Sequence, residues 1–264
     1  MTDRHGDFIW YELIVKDVSA VQPFYGELLG WTFKDSGHPE MEYHVFSADG
    51  PEVGGLMALT EDMEKNGAQP LWAGYVHVDD VDATADMAKK AGGQILMPPQ
   101  DIPNVGRIAF ITDPQGAPLY IMRSSSADAG QQSESFAHSQ PRNGHCAWNE
   151  LFTSDLESAK SFYKDIFGWV QAESMDMGPM GEYAMFKNGE DSEFMTGGMM
   201  KKPAEMPVSL WGYYFRVPSI DKALAYIKEN GGQIINGPME IPGGEFALNA
   251  VDPQGAAFAL VGKQ

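Results

Sequence analysis

The sequence predicts an α+β fold in which four βαβββ modules form two similar halves, with curved mixed sheets and helices outside them. One observation is a repeat: residues 10–31 align with residues 148–169, and eight of the 22 positions are identical. The other is the same order of elements in each module, where an apolar strand-like run is followed by an Asp or Ser turn, an amphipathic helix and a Gly turn. The chain of 264 residues is long enough for two domains.

The first module shows how each element is predicted. Residues 8–15 have strand composition, and Asp17 or Ser19 is placed to cap the helix that follows. Apolar residues then recur at helical spacing as far as Leu29, and Gly30 stands where a helix is expected to end. Three strand-like runs complete the module: Trp31–Lys34, Tyr43–Ser47 and Val53–Ala58.

The remaining modules begin near Leu71, Cys146 and Leu210. In the module that begins near Leu71, Asp79 or Asp80 is expected to cap a helix over 81–91. Its later strands are predicted at Gln94–Met97, Arg107–Thr112 and Pro118–Met122. A polar, Ser- and Gln-rich stretch separates the two halves. We therefore predict domains at 1–123 and 144–264, joined by a linker at 124–143.

Charge and cysteine content exclude several classes of function. The chain has 37 acidic and 18 basic side chains and a net charge of −19, which opposes binding to nucleic acid or to anionic membrane surfaces. Its single cysteine, Cys146, excludes an intrachain disulfide and a CxxC motif, and we expect it to be buried. No apolar run is long enough to span a bilayer, and no signal peptide is recognisable. We expect a cytoplasmic protein.

Two motifs that occur in both halves resemble the vicinal oxygen chelate superfamily, which includes glyoxalase I, bleomycin-resistance proteins and extradiol dioxygenases. The first motif combines Asp17 with Phe24-Tyr25 and Leu29-Gly30-Trp31, and the second is the turn Asp113-Pro114-Gln115-Gly116. The resemblance covers both halves. It implies that each half forms a glyoxalase-like cup from the curved sheets of two modules. A fold alone does not define a reaction, so the function has to be argued from the site.

The resemblance also implies where the metal ligands of metal-dependent members would stand. Three such positions align with Trp10, Ala73 and Tyr120 in the first half and with Trp148, Gly212 and Ala259 in the second. Divalent metals require imidazole or carboxylate ligands, which these residues do not supply. We therefore expect no metal and no cofactor. A relocated metal site that uses Glu12 and His77 is the open alternative. His5 and His138 have the context of tail and linker residues.

Strand alternation predicts which side chains line the cups. The predicted ligand-binding residues are Trp10, Tyr75, His77, Arg107, Tyr120, Trp148, Tyr214 and Arg216. Glu12 and Glu150 are the candidate catalytic residues, because a carboxylate among aromatic side chains can bind a ligand or act as a general base. The structural alternative is a salt bridge or a hydrogen bond to a neighbouring strand, for example to Arg107 or to a tyrosine hydroxyl.

Three functions remain open at this point. The first is a glyoxalase/bleomycin-resistance-like protein without the family metal ligands that binds a small organic molecule, cationic or aromatic, in an aromatic cup. The second is an enzyme of lyase, isomerase or dioxygenase type, such as a glyoxalase-like lyase, that uses Glu12 or Glu150 as base or ligand. The third is a regulatory protein with vestigial cups. Metal-dependent chemistry is disfavoured, and the oligomeric state, monomer or homodimer, is open.

Overall fold

The predicted α+β fold of repeated βαβββ modules is confirmed. The computed structural model describes residues 2–38, 41–65, 67–125, 132–137 and 140–264. Its four modules begin with strands at Phe8, Leu71, Cys146 and Leu210, where the sequence predicts them. Both halves therefore contain the same succession of strand, helix and three strands twice.

The helices and strands of the first half have the following bounds: β1 (Phe8–Val15), α1 (Val18–Leu29), β2 (Thr32–Asp35), β3 (Tyr43–Ser47), β4 (Glu52–Ala58), α2 (Glu61–Lys65), β5 (Leu71–His77), α3 (Val81–Lys90), β6 (Gln94–Ile102), β7 (Gly106–Thr112) and β8 (Pro118–Ser124). Those of the second half are β9 (Cys146–Thr153), α4 (Leu156–Phe167), β10 (Trp169–Asp176), β11 (Glu182–Asn188), β12 (Met195–Lys201), β13 (Leu210–Val217), α5 (Ile220–Glu229), β14 (Gln233–Ile241), β15 (Glu245–Val251) and β16 (Ala257–Gly262). A short 3₁₀ helix, Gly178–Met180, precedes β11.

The strands form two eight-stranded mixed sheets, one from each half. The strand order is β2-β3-β4-β1-β5-β8-β7-β6 in the first sheet and β10-β11-β12-β9-β13-β16-β15-β14 in the second. β1 runs parallel to β4, whereas β3 and β4 are antiparallel. The same pairing recurs for β9, β12 and β11. The repeat in the sequence is thus a repeat of sheet topology.

The ends of the first helix of each half follow the predicted capping chemistry. Asp17 caps α1 by accepting a hydrogen bond from the backbone N–H of Ala20 at 2.9 Å, so the cap is Asp17 and not Ser19. Gly30 ends the helix with a φ of 72°, a left-handed conformation that favours glycine. Asp155 and Gly168 occupy the same positions around α4.

Two elements differ from the sequence prediction. β6 continues beyond Met97 through two prolines to Ile102. It lies at the end of its sheet, where a residue without an N–H is tolerated. The short helix α2 was not predicted, because none of its side chains is buried and its apolar spacing gives no helical pattern.

Packing divides the chain into two compact units that each combine modules from both halves. Unit 1 consists of Met1–Ile9, Gly74–Ser133 and Trp148–Trp211, and unit 2 of Trp10–Ala73, Glu134–Ala147 and Gly212–Gln264. The domain boundaries at 1–123 and 144–264 follow the sequence repeat and stay a prediction.

The two family-like motifs meet inside these units. In unit 2 the Trp72 indole N–H donates to the Tyr25 hydroxyl at 3.2 Å, and that hydroxyl donates to the Asp252 carboxylate at 3.0 Å. All three side chains are buried. In unit 1 the same network joins Trp211, Tyr163 and Asp113, with distances of 3.0 and 3.1 Å. The tyrosine of one half therefore binds the turn aspartate of the other.

A short segment before the first strand of each half fixes a core tryptophan. The carbonyl of Gly6 accepts a hydrogen bond from the Trp169 indole at 2.8 Å, and the carbonyl of Gly144 accepts one from Trp31 at 2.7 Å. His5 also binds the Ile166 carbonyl through Nε2 at 2.9 Å. Residues 4–7 therefore belong to the packed structure of unit 1, unlike the tail expected for His5.

The linker is only partly described. Within it Phe136 is buried and forms a β-bridge with Cys146, which is itself buried as expected. Residues 126–131 and 138–139 lie outside the described residues, and with them His138. Among the helices that the structure describes, none is both long and apolar enough to cross a membrane.

Candidate functional site

Trp10 and Glu12 on β1 and Tyr43 on β3 form a cluster in unit 2 across the intervening strand β4, which we call the first Trp–Glu–Tyr cluster. Trp10 and Glu12 lie two residues apart on β1, so they project from the same face. The Trp10 indole N–H donates to the Tyr43 hydroxyl at 3.2 Å, and the Tyr43 hydroxyl is hydrogen-bonded to Glu12. Glu12 is 3% exposed, whereas the two aromatic side chains are half-buried.

Glycine on the strand between them lets the tyrosine reach this position. Gly55 lies opposite Glu12 on the paired strand β4. A Cβ atom at Gly55 would stand only 2.0 Å from the Tyr43 hydroxyl oxygen. Any larger residue would therefore displace the Tyr43 ring. The close approach of ring and backbone is what holds the hydroxyl beside Glu12.

The second Trp–Glu–Tyr cluster, in unit 1, consists of Trp148, Glu150 and Tyr183. The Trp148 indole N–H donates to the Tyr183 hydroxyl at 2.7 Å. Glu150 is 6% exposed and lies opposite Gly198 on β12. A Cβ at Gly198 would approach the Tyr183 hydroxyl to 2.3 Å. The arrangement of tryptophan, tyrosine and glycine is therefore present in both halves.

Electrostatics keep the Tyr43 hydroxyl protonated. Burial raises its pKa well above the ordinary value, and the negative charge of Glu12 and the hydrogen bond to it raise the pKa further. A neutral phenol has one proton to donate, and here the acceptor is Glu12. The cluster can thus offer a fixed, buried carboxylate beside a half-exposed tryptophan. That combination suits recognition of a hydrogen-bond donor or a cation, or acid–base chemistry at Glu12.

The predicted ligand-binding residues Tyr75 and Tyr120 stack on each other in unit 1. Their ring centroids are 4.3 Å apart and their planes differ by 8°. Phe110 stacks on the other face of Tyr120 at 4.2 Å. In unit 2 Tyr214 corresponds to Tyr75, and Asn249 corresponds to Phe110. The Asn249 side-chain N–H donates to the Tyr214 hydroxyl at 3.2 Å. The two halves therefore differ at these positions: one has a column of three rings and the other a polar pair.

The predicted cationic residues are paired with carboxylates. Arg107 donates to both oxygens of Asp82 at 2.6 and 2.8 Å and to Asp101 at 3.0 Å. The salt bridge from Arg107 to Glu12 suggested by the sequence is therefore not formed. Glu12 is instead bonded to a tyrosine hydroxyl, the other partner that the sequence left open. Arg216 pairs with Glu245.

His77 is nearly enclosed, with 7% exposure, and its Nε2 lies 3.3 Å from Arg123. Burial lowers its pKa, and the positive charge of Arg123 lowers it further, so the neutral form is favoured. Within the part of the chain that the structure describes, no three His, Cys, Asp or Glu side chains come together as a metal site would require.

Sequence reasoning missed Tyr43 and Tyr183. The signal was present, since Glu-Tyr at 42–43 and at 182–183 is followed in both halves by a Gly-Gly pair at 54–55 and 197–198. A repeated glycine pair within a strand indicates a close approach by another group. Its partner is visible only once the strand pairing is known.

Comparison with known proteins gives a family match over both halves of the chain. The model of the Glyoxalase/Bleomycin resistance protein/Dioxygenase superfamily matches residues 8–120 and 142–260. A protein of Mycobacterium bovis, CFP32, which carries the provisional name of a glyoxylase, is 34% identical over 98% of this chain and 95% of its own length. The anthracycline biosynthesis protein DnrV of Streptomyces peucetius is 28% identical over 96% of this chain and 91% of its own.

Solved structures resemble the fold at low sequence identity. The Mn(II)-bound glyoxalase from Novosphingobium aromaticivorans superimposes with a TM-score of 0.65 and 16% identity, covering all of this chain and 83% of that protein. The 2,2',3-trihydroxybiphenyl 1,2-dioxygenase from Sphingomonas wittichii also gives a TM-score of 0.65, with 14% identity over 98% of this chain and 90% of that protein. At such identities the likeness concerns the fold alone.

Proposed function

Because the chain belongs to the Glyoxalase/Bleomycin resistance protein/Dioxygenase superfamily, we propose that it binds a small organic molecule at its Trp–Glu–Tyr clusters without using a metal ion. The observation that supports this proposal is the first cluster. Where the family resemblance puts a metal ligand, this chain has Trp10, joined through the Tyr43 hydroxyl to the buried carboxylate of Glu12.

The donor chemistry does not fit the metal of the metal-dependent relatives. The family-aligned positions of the first half hold an indole, a methyl group and a phenol at Trp10, Ala73 and Tyr120. Indole and methyl groups do not coordinate divalent metals, and Tyr120 is buried in a stack with two other rings. No reaction step through a metal is therefore proposed.

The cluster chemistry instead favours a flat ligand with a donor or positive group. A half-exposed indole offers a face for stacking, and a nearby carboxylate can accept a hydrogen bond from the ligand. The net charge of −19 attracts cations to the protein in general. One relative is named for anthracycline biosynthesis, and anthracyclines are flat aromatic compounds with an amino sugar. This name supports the choice of an aromatic cation as probe.

Isothermal titration of the full chain with doxorubicin, an anthracycline, tests the proposal. Its aglycone, which lacks the amino sugar, serves as the uncharged control ligand. We expect doxorubicin to bind more tightly, and Glu12→Gln or Glu150→Gln to weaken its binding roughly tenfold or more, as for loss of a charge-assisted hydrogen bond. Glu42→Gln, a control next to Tyr43 on the exposed surface, should leave the affinity unchanged.

Recognition by the carboxylates would be refuted if wild type bound doxorubicin and its aglycone equally tightly. It would also be refuted if neither glutamate variant bound doxorubicin more weakly than wild type. Equilibrium dialysis against nickel, zinc and manganese provides the metal test. We expect no stoichiometric binding, and one tightly held metal ion per chain would overturn the metal-independent proposal.

A second candidate is a lyase or isomerase that uses Glu12 as a base. The observation in its favour is the hydrogen bond between Glu12 and Tyr43, which joins a carboxylate to a phenol that remains protonated. Turnover of the methylglyoxal–glutathione hemithioacetal tests it. Activity lost in both Glu12→Gln and Tyr43→Phe, with each variant still folded, would favour this enzyme over a binding protein.

A further inference from the structure

Unit 2 contains a groove of about 390 Å³ at one end of β13, β15 and β16. This volume lies within the range of roughly 300–1,000 Å³ that is typical of small-molecule sites. Its polar lining comes from Asn143, Arg216, Glu245 and Lys263. None of these residues belongs to either Trp–Glu–Tyr cluster, although Arg216 is one of the predicted ligand-binding residues.

The groove lies at the end of a strip of small side chains on one face of the sheet. Arg216 on β13 is paired with Val261 on β16, which in turn is paired with Ala247 on β15. The Arg216 side chain spans β16 to reach Glu245, two residues along β15. Small side chains on the central strand leave room for this long side chain to cross the sheet.

The first half is bulkier at the corresponding positions. There His77 on β5 is paired with Met122 on β8, and Met122 with Ile108 on β7. Methionine and isoleucine thus replace the valine and alanine of the second half. His77 is also shorter than arginine and bonds to Arg123 instead of spanning the central strand. At the corresponding described positions, the first half therefore lacks the arginine and the small side chains that form this groove in the second half.

Charge indicates what the groove binds. Arg216 forms two hydrogen bonds with Glu245, one of them of 3.0 Å between Nη2 and Oε2. Its Nε–H is buried and has no acceptor within the described residues. Lys263 is exposed and makes no ion pair with any residue that the structure describes. Two positive side chains and one negative side chain leave a local charge of +1.

The lining of this groove has a positive net charge, opposite in sign to that of the whole chain. The chain as a whole has a charge of −19, which repels anions from most of it. The apolar walls come from Pro141 and Pro218, which are exposed and rigid. A single negative charge on a compact apolar body matches both the charge and the walls.

We propose that this groove binds a small organic monocarboxylate, whose carboxylate pairs with Lys263 and whose apolar body contacts Pro141 and Pro218. Glu245 neutralises Arg216, so the groove selects a single negative charge and disfavours a dianion. The proposal does not depend on ligand binding at the Trp–Glu–Tyr clusters, because it uses none of their residues.

Isothermal titration of the full chain with 2-naphthoate tests the proposal, with 2-naphthylmethanol as the uncharged analogue and inorganic phosphate as an anion without an apolar body. We expect naphthoate to bind at least tenfold more tightly than either control ligand. Lys263→Gln should weaken naphthoate binding roughly tenfold. Glu245→Gln removes the competing negative charge and should strengthen it.

Lys222→Gln is the matched control, since it makes the same change of charge on the exposed surface of α5. It should reduce the affinity much less than Lys263→Gln. Equal effects of the two lysine variants, weaker binding in Glu245→Gln, or no naphthoate binding to wild type would each overturn the proposal.

Ala247→Ile gives the second half the isoleucine that the first half has at the corresponding position, Ile108. The larger side chain should occupy the space that Arg216 crosses and so abolish naphthoate binding. Circular dichroism shows whether this variant folds; if it does not, the exposed Lys263→Gln variant decides. We expect Glu12→Gln and Glu150→Gln, which should weaken doxorubicin binding, to bind naphthoate as tightly as wild type. The two proposals can therefore fail separately.

Discussion

Replacement of Tyr25 by phenylalanine is expected to destabilise the protein strongly, although it removes a single oxygen atom. The hydroxyl is buried in unit 2, where it accepts from Trp72 at 3.2 Å and donates to Asp252 at 3.0 Å. In Tyr25→Phe the indole N–H has no acceptor, and one carboxylate oxygen loses its donor. Both groups stay enclosed, because Trp72 is 6% and Asp252 3% exposed.

The magnitude follows from counting these two groups. A buried polar group left without its partner costs about 1–3 kcal/mol. Asp252 keeps backbone donors to its other oxygen, from Gln254 and Ala256. The cost of its lost hydrogen bond therefore lies at the lower end of this range. We expect a total loss of about 2–4 kcal/mol of unfolding free energy. Tyr163→Phe in unit 1 should cost a similar amount, since its hydroxyl bonds Trp211 and Asp113 in the same way.

Urea unfolding followed by circular dichroism measures the effect as a change of midpoint at unchanged slope. Tyr226→Phe is the matched control, because that hydroxyl lies on the half-buried surface of α5 and makes one long contact of 3.4 Å with the Pro23 carbonyl. We expect Tyr226→Phe to lower the free energy of unfolding by less than about 1 kcal/mol. If Tyr25→Phe and Tyr163→Phe were no less stable than Tyr226→Phe, the networks would not stabilise the units and the reasoning would be refuted.

Three further outcomes are expected. Gly55→Ala should displace the Tyr43 ring, because its Cβ would lie 2.0 Å from the hydroxyl oxygen; thermal unfolding should show a loss of about 1–3 kcal/mol. Gly26→Ala, in α1 with no atom closer than 3.4 Å to the added Cβ, should instead stabilise the same module by about 0.5–1 kcal/mol, and a loss there would contradict the steric argument. Burial raises the pKa of Asp113 above its ordinary 3.8, so its stabilising contribution falls as pH rises from 3.8 through the higher pKa of the folded state. Urea titrations across this range should find that the difference in unfolding free energy between wild type and Asp113→Asn narrows as pH rises, and a constant difference would contradict this expectation.

Much of the fold was predictable because the same pattern of motifs and apolar spacing occurs in both halves of the sequence. Local signals such as the Asp17 cap and the Gly30 stop depend on nearby residues only, and the structure confirms them. The extent of β6 was not predictable, since prolines normally end a strand and only its place at the edge of the sheet permits them.

The candidate site was predictable in part. Alternation on β1 put Trp10 and Glu12 on one face, as the structure shows. The partner of Glu12 could not be deduced, because Arg107 and an unspecified tyrosine hydroxyl were both plausible and the choice depends on strand pairing. In the structure the Tyr43 hydroxyl reaches across Gly55 and is hydrogen-bonded to Glu12. Arg107 instead forms salt bridges with Asp82 and Asp101.

The sequence by itself determined the modules, their order and the residues that bear the family likeness, because each of these depends on composition and spacing along the chain. Only the tertiary structure decided which half supplies each partner. Tyr25 of the first half bonds Asp252 of the second, 227 positions away. A buried hydroxyl and a buried carboxylate must find partners within the packed interior, and nothing in their local sequence specifies which surface will enclose them.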